Sequence, residues 1–169
     1  DGRIDLVVSN FYEKGVVLLR NRGRGLFRDE SVSSRLGPAT RPTTSFGIDF
    51  FDPDNDGWLD IFIANGHIAD LRADGIPYAM KAQLFRNEGG RRFTDVSAHA
   101  GDYFLTERLG RGVAIGDVDN DGGSDVVVSH NVGPVSVLRN ETPERGHYIL
   151  IDLVGVRSSR TAVGTRLSA

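Results

Sequence analysis

Two nine-residue segments of the sequence carry aspartate at their first, third, fifth and ninth positions and glycine at the sixth. In a tight turn, three alternate carboxylates can point to one centre, and the glycine permits the sharp backbone bend. The carbonyl of the seventh residue and the ninth carboxylate can add two more oxygens. Such an all-oxygen cage suits Ca²⁺ better than Mg²⁺, which requires rigid octahedral geometry. The predicted ligands are Asp52, Asp54, Asp56, Trp58 and Asp60 in the first loop, and Asp117, Asp119, Asp121, Gly123 and Asp125 in the second.

Two other interpretations of these loops were weighed. An EF-hand shares the first half of the pattern but needs glutamate at position twelve and flanking helices. Position twelve is Ile63 or Val128, inside an apolar run that is typical of a strand, so the EF-hand is disfavoured. A plain Asp/Asn/Gly turn without a metal remains open. However, four carboxylates so close together would repel one another strongly without a cation.

The first residues of the chain match the second half of the same motif. Asp1, Gly2 and Asp5 take the places of the fifth, sixth and ninth loop residues. Asp1, Arg3 and Asp5 can therefore serve only a third, incomplete site. We expect the natural protein to extend beyond this sequence, which would make the chain a fragment.

The three loop copies belong to an internal repeat. Equivalent aspartates are 55 and 65 residues apart, and a Leu/Phe-Arg-Asn step follows each loop, at residues 19–21, 85–87 and 138–140. The longer second unit has its extra residues between Asn65 and Lys81. β-Repeats of roughly this size form propeller blades, and a single blade cannot cover both of its faces. The predicted fold class is therefore all-β, with the blades of a partial β-propeller.

Short runs of β-branched and aromatic residues flank each loop, as expected for strands. The predicted strands are Ile4–Ser9, Val16–Leu19, Leu59–Ala64, Gln83–Phe85, Asp125–Ser129 and Val135–Leu138. We find no convincing 3.6-residue apolar period. Only Ile68–Lys81 is expected to hold a helical turn.

Composition excludes several classes of protein. The chain has 169 residues, a formal charge of −3 and no cysteine, which rules out a disulfide scaffold and a thiol nucleophile. The lack of an apolar run near ~18 residues rules out a transmembrane helix. The 17 aspartates against six glutamates must be concentrated in turns or sites, and ten of them lie in the three loops.

Histidine and arginine residues offer weaker candidates for function. His67 lies in the inserted segment near Tyr78, where a turn is favoured over a catalytic or ligand-binding loop. His130 is expected to belong to the fold. The arginines near Arg20 and Arg86 occupy equivalent places, which favours solvated turns or ion pairs between blades over a nucleic-acid surface. We find no Ser/His/Asp set with catalytic spacing, so no catalytic residue is predicted.

Two segments lead into the complete loops: Phe46-Gly47-Ile48-Asp49 and Gly112-Val113-Ala114-Ile115-Gly116-Asp117. Both resemble FG-GAP repeats of the integrin α-chain type, which are also called VCBS repeats. The resemblance covers about residues 1–143. It implies a secreted or cell-surface propeller with structural Ca²⁺ in its loops, two sites being complete and a third incomplete. It also implies the ligand roles given above for the residues of the matching loops.

The following residues, 144–169, resemble the start of an ASPIC/UnbV domain. The resemblance rests on Gly146-His147-Tyr148-Ile149-Leu150 and on residues 155–167. The family usually has a Ser-Asn-Arg step, in which Ser159 stands here in place of the Asn. It also has an Ala-Ile-Gly-Ala-Arg stretch, in which Val163 stands in place of the Ile and Thr165 in place of the second Ala. We therefore expect two domains, with boundaries at 1–143 and 144–169.

Together these patterns predict a calcium-binding repeat module for extracellular binding or adhesion. The expected partner is an extracellular protein or glycan, and no nucleic-acid partner or membrane span is expected. The expected location is extracellular, periplasmic or at the cell surface. A hydrolase or lyase with its active site in a propeller channel is the alternative function.

Overall fold

A computed structural model describes residues 2–143, 145–149, 151–156, 160–165 and 167. Within these residues the chain forms ten strands and one short α-helix. The strands are Leu6–Val8 (β1), Val17–Gly23 (β2), Leu26–Asp29 (β3), Ser45–Phe51 (β4), Asp60–Asn65 (β5), Gln83–Asn87 (β6), Phe93–Asp95 (β7), Gly110–Gly116 (β8), Asp125–His130 (β9) and Ser136–Leu138 (β10), and the helix is Leu36–Thr40 (α1).

The described strands form three antiparallel sheets, each of which is one blade. The first blade has the order β1-β2-β3, the second β4-β5-β6-β7, and the third β8-β9-β10. The pairings are the same in each blade, since Val7 faces Leu18, Phe62 faces Leu84 and Val127 faces Val137. The chain is therefore an all-β protein that forms part of a propeller, as predicted.

The blades stack on one another through two apolar clusters. Between the first and second blades lie Val16, Leu18, Leu36, Ile61, Ile63, Phe85 and Phe93. Between the second and third lie Phe51, Phe62, Ala64, Ala82, Phe104, Val126 and Val128. Every residue of β5 is buried, because this strand contributes to both clusters. The core therefore lies between sheets, as expected for units that cannot cover their own faces.

Glycine allows two of the blades to approach closely. A β-carbon on Gly47 of β4 would lie 2.5 Å from the carbonyl oxygen of Arg111 and 2.7 Å from the amide nitrogen of Val113, both on β8. Beside this contact the guanidinium carbon of Arg111 lies 4.1 Å from the ring centre of Phe46. Gly47 is thus required at this position because any side chain would force β4 and β8 apart.

The six predicted strands are confirmed, with their bounds shifted by a few residues. Four further strands were not predicted as such, although their sequences had been matched as repeat landmarks. They are β3, β4, β7 and β8. These segments contain Gly, Asp and Arg, which have low β-propensity, so pairing with a neighbouring strand decides their conformation.

The prediction that only Ile68–Lys81 holds a helical turn is wrong. A 3₁₀ turn does lie there, at Arg72–Asp74, but others occur at Ser97–His99 and Asp102–Leu105, and α1 lies elsewhere. The helix α1 is too short to show a periodic pattern. It is held by burial of Leu36 and by Thr40, whose Oγ1 accepts the amide of Val16 at 2.7 Å.

The C-terminal region does not test the predicted domain boundary. In the described part of residues 145–167 no strand or helix forms. The contacts there include a turn, from Gly155 N–H to Arg160 O at 3.1 Å, and bonds from Arg145 and Gly146 to the acidic loops. Of the residues that carry the ASPIC/UnbV resemblance, Leu150, Arg157, Ser158, Ser159 and Arg166 lie outside the described residues. Across the described chain, no helix is long and apolar enough to cross a membrane.

Candidate metal centre

The first acidic loop connects β4 to β5 and is closed by hydrogen bonds to its own carboxylates. Asp52 Oδ1 accepts the amide of Asp56 at 3.1 Å, and Asp52 Oδ2 accepts that of Gly57 at 2.9 Å. Asp56 Oδ1 accepts the amide of Trp58 at 2.7 Å. Asn55 and Gly57 adopt left-handed backbone conformations, with φ of 54° and 87°. Asn and Gly tolerate this conformation best, so the loop sequence fits its backbone.

The second acidic loop, between β8 and β9, repeats this geometry. Asp117 accepts the amides of Asp121 and Gly122 at 3.1 and 2.9 Å, and Asp121 Oδ1 accepts that of Gly123 at 2.8 Å. The φ angles of Asn120 and Gly122 are 61° and 82°. Two segments that are separate in the chain therefore fold into the same cradle.

The carboxylates of each loop are spaced as a hard cation requires. One oxygen from each of Asp52, Asp54 and Asp56 lies within 4.8 Å of the other two, and the same holds for Asp117, Asp119 and Asp121. Ligand oxygens at about 2.3–2.6 Å from Ca²⁺ lie at most about 5 Å apart across the ion. The three predicted carboxylates of each loop are therefore brought together in a geometry that fits Ca²⁺.

The ninth residue of each loop makes a contact that the sequence analysis did not anticipate. Asp60 Oδ1 accepts the amide of Asn87 at 2.8 Å, and Asp125 Oδ1 accepts the amide of Asn140 at 2.8 Å. Asp125 also uses Oδ2, which accepts the amide of Val118 at 2.9 Å. Asp60 and Asp125 are only 4% and 2% exposed. These two carboxylates thus fasten the loop to the third strand of the blade, and their role as ligands stays a prediction.

The charge state of the first loop reflects its crowding. Burial, together with the carboxylates of Asp54, Asp56 and Asp52, raises the pKa of Asp60 to about 7, against the opposing hydrogen bond from Asn87. Burial and the neighbouring Asp56 carboxylate raise the pKa of Asp54. A divalent cation at this centre would offset the repulsion and favour the ionised carboxylates.

Arginine side chains reach into the second loop. Arg139 Nε lies 2.6 Å from Asp119 Oδ2. Arg145 donates from Nη1 and Nη2 to the two oxygens of Asp121, both at 3.2 Å. This hydrogen bonding by Arg145 lowers the pKa of Asp121. The carboxylates of the two loops, although alike in position, therefore stand in different electrostatic surroundings.

The seventh residue also differs between the loops. The ring of Trp58 lies against Gly90, at the turn between β6 and β7. Gly123 has no side chain, and a β-carbon there would collide with the guanidinium of Arg145. Arg145 therefore occupies the space in which a side chain at this position would begin. No described contact tests the predicted carbonyl ligands of Trp58 and Gly123.

The incomplete third loop is described only in part. Asp1 lies outside the described residues. Asp5 Oδ1 accepts the amide of Asn21 at 2.8 Å, as Asp60 and Asp125 do from their own asparagines. Arg3 is exposed and its Nε lies beside Gly23. The first blade thus shares this joint, with β2 in the place of β6.

The inserted segment between β5 and β6 is anchored on the third blade. The amide of His67 donates to Tyr78 O at 2.7 Å, and its imidazole Nδ1 lies 2.9 Å from Ala69 O. Arg111 of β8 donates to the carbonyl of His67 at 2.9 Å. These are the contacts of a structured turn, which was the favoured interpretation of His67. His130 lies at the end of β9, with Nε2 3.1 Å from the hydroxyl oxygen of Tyr103.

The arginines of the first blade form ion pairs within the blade rather than between blades, which corrects that part of the prediction. Arg20, Arg22 and Arg28 surround Glu30 at 3.5, 2.6 and 4.0 Å. In the second blade Arg86, which has the place of Arg20, pairs with Glu88 at 3.3 Å. Among these arginines, Arg20 also contacts the neighbouring blade, through Nη2, which donates a hydrogen bond to the carbonyl of Gly90.

Two features of the site were missed from the sequence. The joint between the ninth aspartate and asparagine had a visible signal, because Asp5 and Asn21, Asp60 and Asn87, and Asp125 and Asn140 recur together in the three units. Arg145 had none, since it lies 24 residues from Asp121 and outside the repeat pattern.

Comparison with known proteins agrees with this geometry. No curated protein matches the chain. A family model does: the part of the chain that contains the first blade, β4 and the first acidic loop, residues 1–63, matches the model of an FG-GAP-like repeat.

Proposed function

We propose that this protein is a calcium-binding β-propeller repeat module, in which Ca²⁺ pins the acidic loops and the blades present a surface for extracellular binding or adhesion. The observation that carries the proposal is the convergence of three carboxylates in each of two equivalent loops, with oxygens within 4.8 Å. The match of residues 1–63 to an FG-GAP-like repeat supports the binding role, because such repeats often serve in binding.

In this proposal Asp52, Asp54 and Asp56 hold one ion and Asp117, Asp119 and Asp121 hold the other. The carbonyls of Trp58 and Gly123 and the free oxygen of Asp60 supply further oxygens. Ca²⁺ would add positive charge where burial already opposes the ionisation of Asp54. Binding therefore couples to stability, because the ion favours the folded loop.

The remaining parts of the proposal follow from the same resemblance. The partner is an extracellular protein or glycan, and the location is extracellular, periplasmic or at the cell surface. Residues 144–169 begin an ASPIC/UnbV-like domain. We favour binding over a channel hydrolase or lyase, because the described contacts of His67 and Tyr78 hold a turn together.

The first loop has a built-in reporter that tests cation binding. Trp58 is the only tryptophan of the chain and lies within the loop. Tb³⁺, which takes the oxygen ligands of Ca²⁺, should luminesce on tryptophan excitation of the full chain, and added Ca²⁺ should quench this signal by competition. The Ca²⁺ Kd calculated from this competition is expected to be about 10⁻⁴–10⁻³ M, as in extracellular modules.

The matched pair of variants is Asp54→Ala, which removes a predicted ligand, and Asp74→Ala, which removes an exposed carboxylate in the 3₁₀ turn of the insertion. The first should abolish the sensitised luminescence, and the second should leave it unchanged. Equal luminescence from Asp54→Ala and the parent protein would exclude the first loop as the cation site.

A further inference from the structure

The repeated Leu/Phe-Arg-Asn step places an arginine at the same point of every blade, but its partner changes. In the first blade Arg20 pairs with Glu30 and with the last loop aspartate, Asp5, both at 3.5 Å. In the second blade Arg86 pairs with Glu88 at 3.3 Å, so neither arginine reaches the first three carboxylates of its loop. In the third blade Arg139 instead pairs with Asp119 of the acidic loop, at 2.6 Å. The residue at the place of Glu88 is Glu141, which is exposed.

The chain after β10 explains this change. It does not turn back into a fourth strand, so the hairpin that carries Glu30 or Glu88 in the other blades has no counterpart among the described residues. The chain instead crosses between the two loops: Asn140 Nδ2 donates to Pro53 O at 2.7 Å, and the amide of Gly146 donates to Asp54 O at 2.8 Å. This path carries Arg145 to the second loop.

Arg145 reaches Asp121 because the second loop leaves room for it. Gly123 has no side chain, and the guanidinium lies where one would begin. The guanidinium then binds both oxygens of Asp121, in the two-pronged geometry that favours Arg over Lys. The Arg145 side chain is only 22% exposed, so solvent screens this pair less than the Arg139 pair, which is 61% exposed on the arginine side.

The first loop has no such counter-ions. Among the residues that the structure describes, no Lys or Arg lies within 4.0 Å of a carboxylate oxygen of Asp52, Asp54 or Asp56. A cation entering the first loop therefore meets uncompensated negative charge, whereas one entering the second must compete with two guanidinium groups for Asp119 and Asp121.

We propose that Arg139 and Arg145 are affinity-setting residues that make the two cation sites unequal, with the first loop filling at lower Ca²⁺ than the second. The inference rests on the proposed calcium function and deepens it. In the third blade the two guanidinium groups thus replace part of the positive charge that a cation would supply. Arg139 belongs to the repeat, and Arg145 to the segment that follows it.

The test measures the Ca²⁺ Kd of each loop separately, by isothermal titration calorimetry of the full chain. Asp117→Ala with Asp119→Ala leaves only the first loop, and Asp52→Ala with Asp54→Ala leaves only the second. In the second background, Arg139→Gln with Arg145→Gln should lower the Kd by about tenfold at low salt. The gain should shrink at ~0.5 M NaCl, where exposed ion pairs are screened.

The matched control is Arg86→Gln, which removes the arginine at the place of Arg139 in the second blade but breaks a pair with Glu88 instead. It should leave both Kd values within about twofold of the parent. Arg145→Gln alone should give part of the gain in second-loop affinity. Far-UV circular dichroism shows whether the double variant folds, and if it does not, the single variant still tests the inference.

The outcomes separate the two proposals. Ca²⁺ binding at the first loop, with a second-loop Kd that is indifferent to both arginines, overturns this inference and leaves the proposed function standing. A second loop that binds more tightly than the first, with both arginines in place, also overturns it. Absence of Ca²⁺ binding in every background overturns the proposed function and this inference together.

Discussion

Chelation of divalent cations with EDTA is expected to lower the melting temperature of the protein by about 10–20 °C. A ligand at 100 times its Kd stabilises the folded state by about 2.7 kcal/mol per site, so two filled loops contribute about 5 kcal/mol. For chains of this size, each kcal/mol shifts the melting temperature by about 2–4 °C. The comparison is between ~10 mM Ca²⁺ and excess EDTA, read by circular dichroism.

The double variant Asp54→Ala with Asp119→Ala should abolish most of this response, because each substitution removes the central carboxylate of one loop. Its melting temperature in EDTA should stay near that of the parent, since the joints at Asp60 and Asp125 are intact. Asp74→Ala should keep the full response. A parent protein that melts at the same temperature with Ca²⁺ and with EDTA would refute the stabilising role of calcium.

Gly47→Ala should strongly destabilise the protein, by about 3 kcal/mol, at the upper end of the cost of overpacking. Its β-carbon would meet backbone atoms of Arg111 and Val113, at 2.5 and 2.7 Å, which a side-chain rotation cannot relieve. Overpacking of this kind typically costs about 1–3 kcal/mol, and here it separates two strands. The expected result is a lower midpoint of urea denaturation with Ca²⁺ held constant.

Gly112→Ala is the matched control for Gly47→Ala, because Gly112 has the equivalent place in the third blade. A β-carbon on Gly112 would meet only the side-chain oxygen of Ser129, at 2.9 Å. The hydroxyl can turn away, at the cost of the hydrogen bond it accepts from the Gly112 amide at 2.9 Å. We therefore expect a loss of about 1 kcal/mol. Equal losses in the two variants would mean that the closeness of β4 to β8 does not decide the role of Gly47.

The acidic loops were predictable from the sequence because their geometry is local. The bonds that close the first loop join residues at most five apart, from Asp52 to Gly57, so spacing alone specifies them. The strands with β-branched residues, such as Asp125–His130, were visible for a similar reason. Strand β8, with three polar or glycine residues at its start, forms because β9 pairs with it.

What the sequence did not reveal depends on contacts between distant residues. The partner of Asp60 is 27 residues away, and Asn140 reaches Pro53 across 87 residues. Arg145 takes its position on a segment after β10 in which the described residues form no further strand. Such contacts follow from how the blades and the following segment stack, which a motif does not encode.

The joint between the last loop aspartate and the asparagine of the Leu/Phe-Arg-Asn step recurs in all three blades, at Asp5, Asp60 and Asp125. The hydrogen bond that forms this joint runs from the backbone amide of the asparagine to the carboxylate of the last aspartate. The other loop aspartates take no part in it. A blade can therefore exchange its first three loop carboxylates for other residues and still keep its hairpins joined. A unit can thus gain or lose its acidic cluster without a change to the rest of the blade, so the loops of such an array can diverge while the scaffold persists.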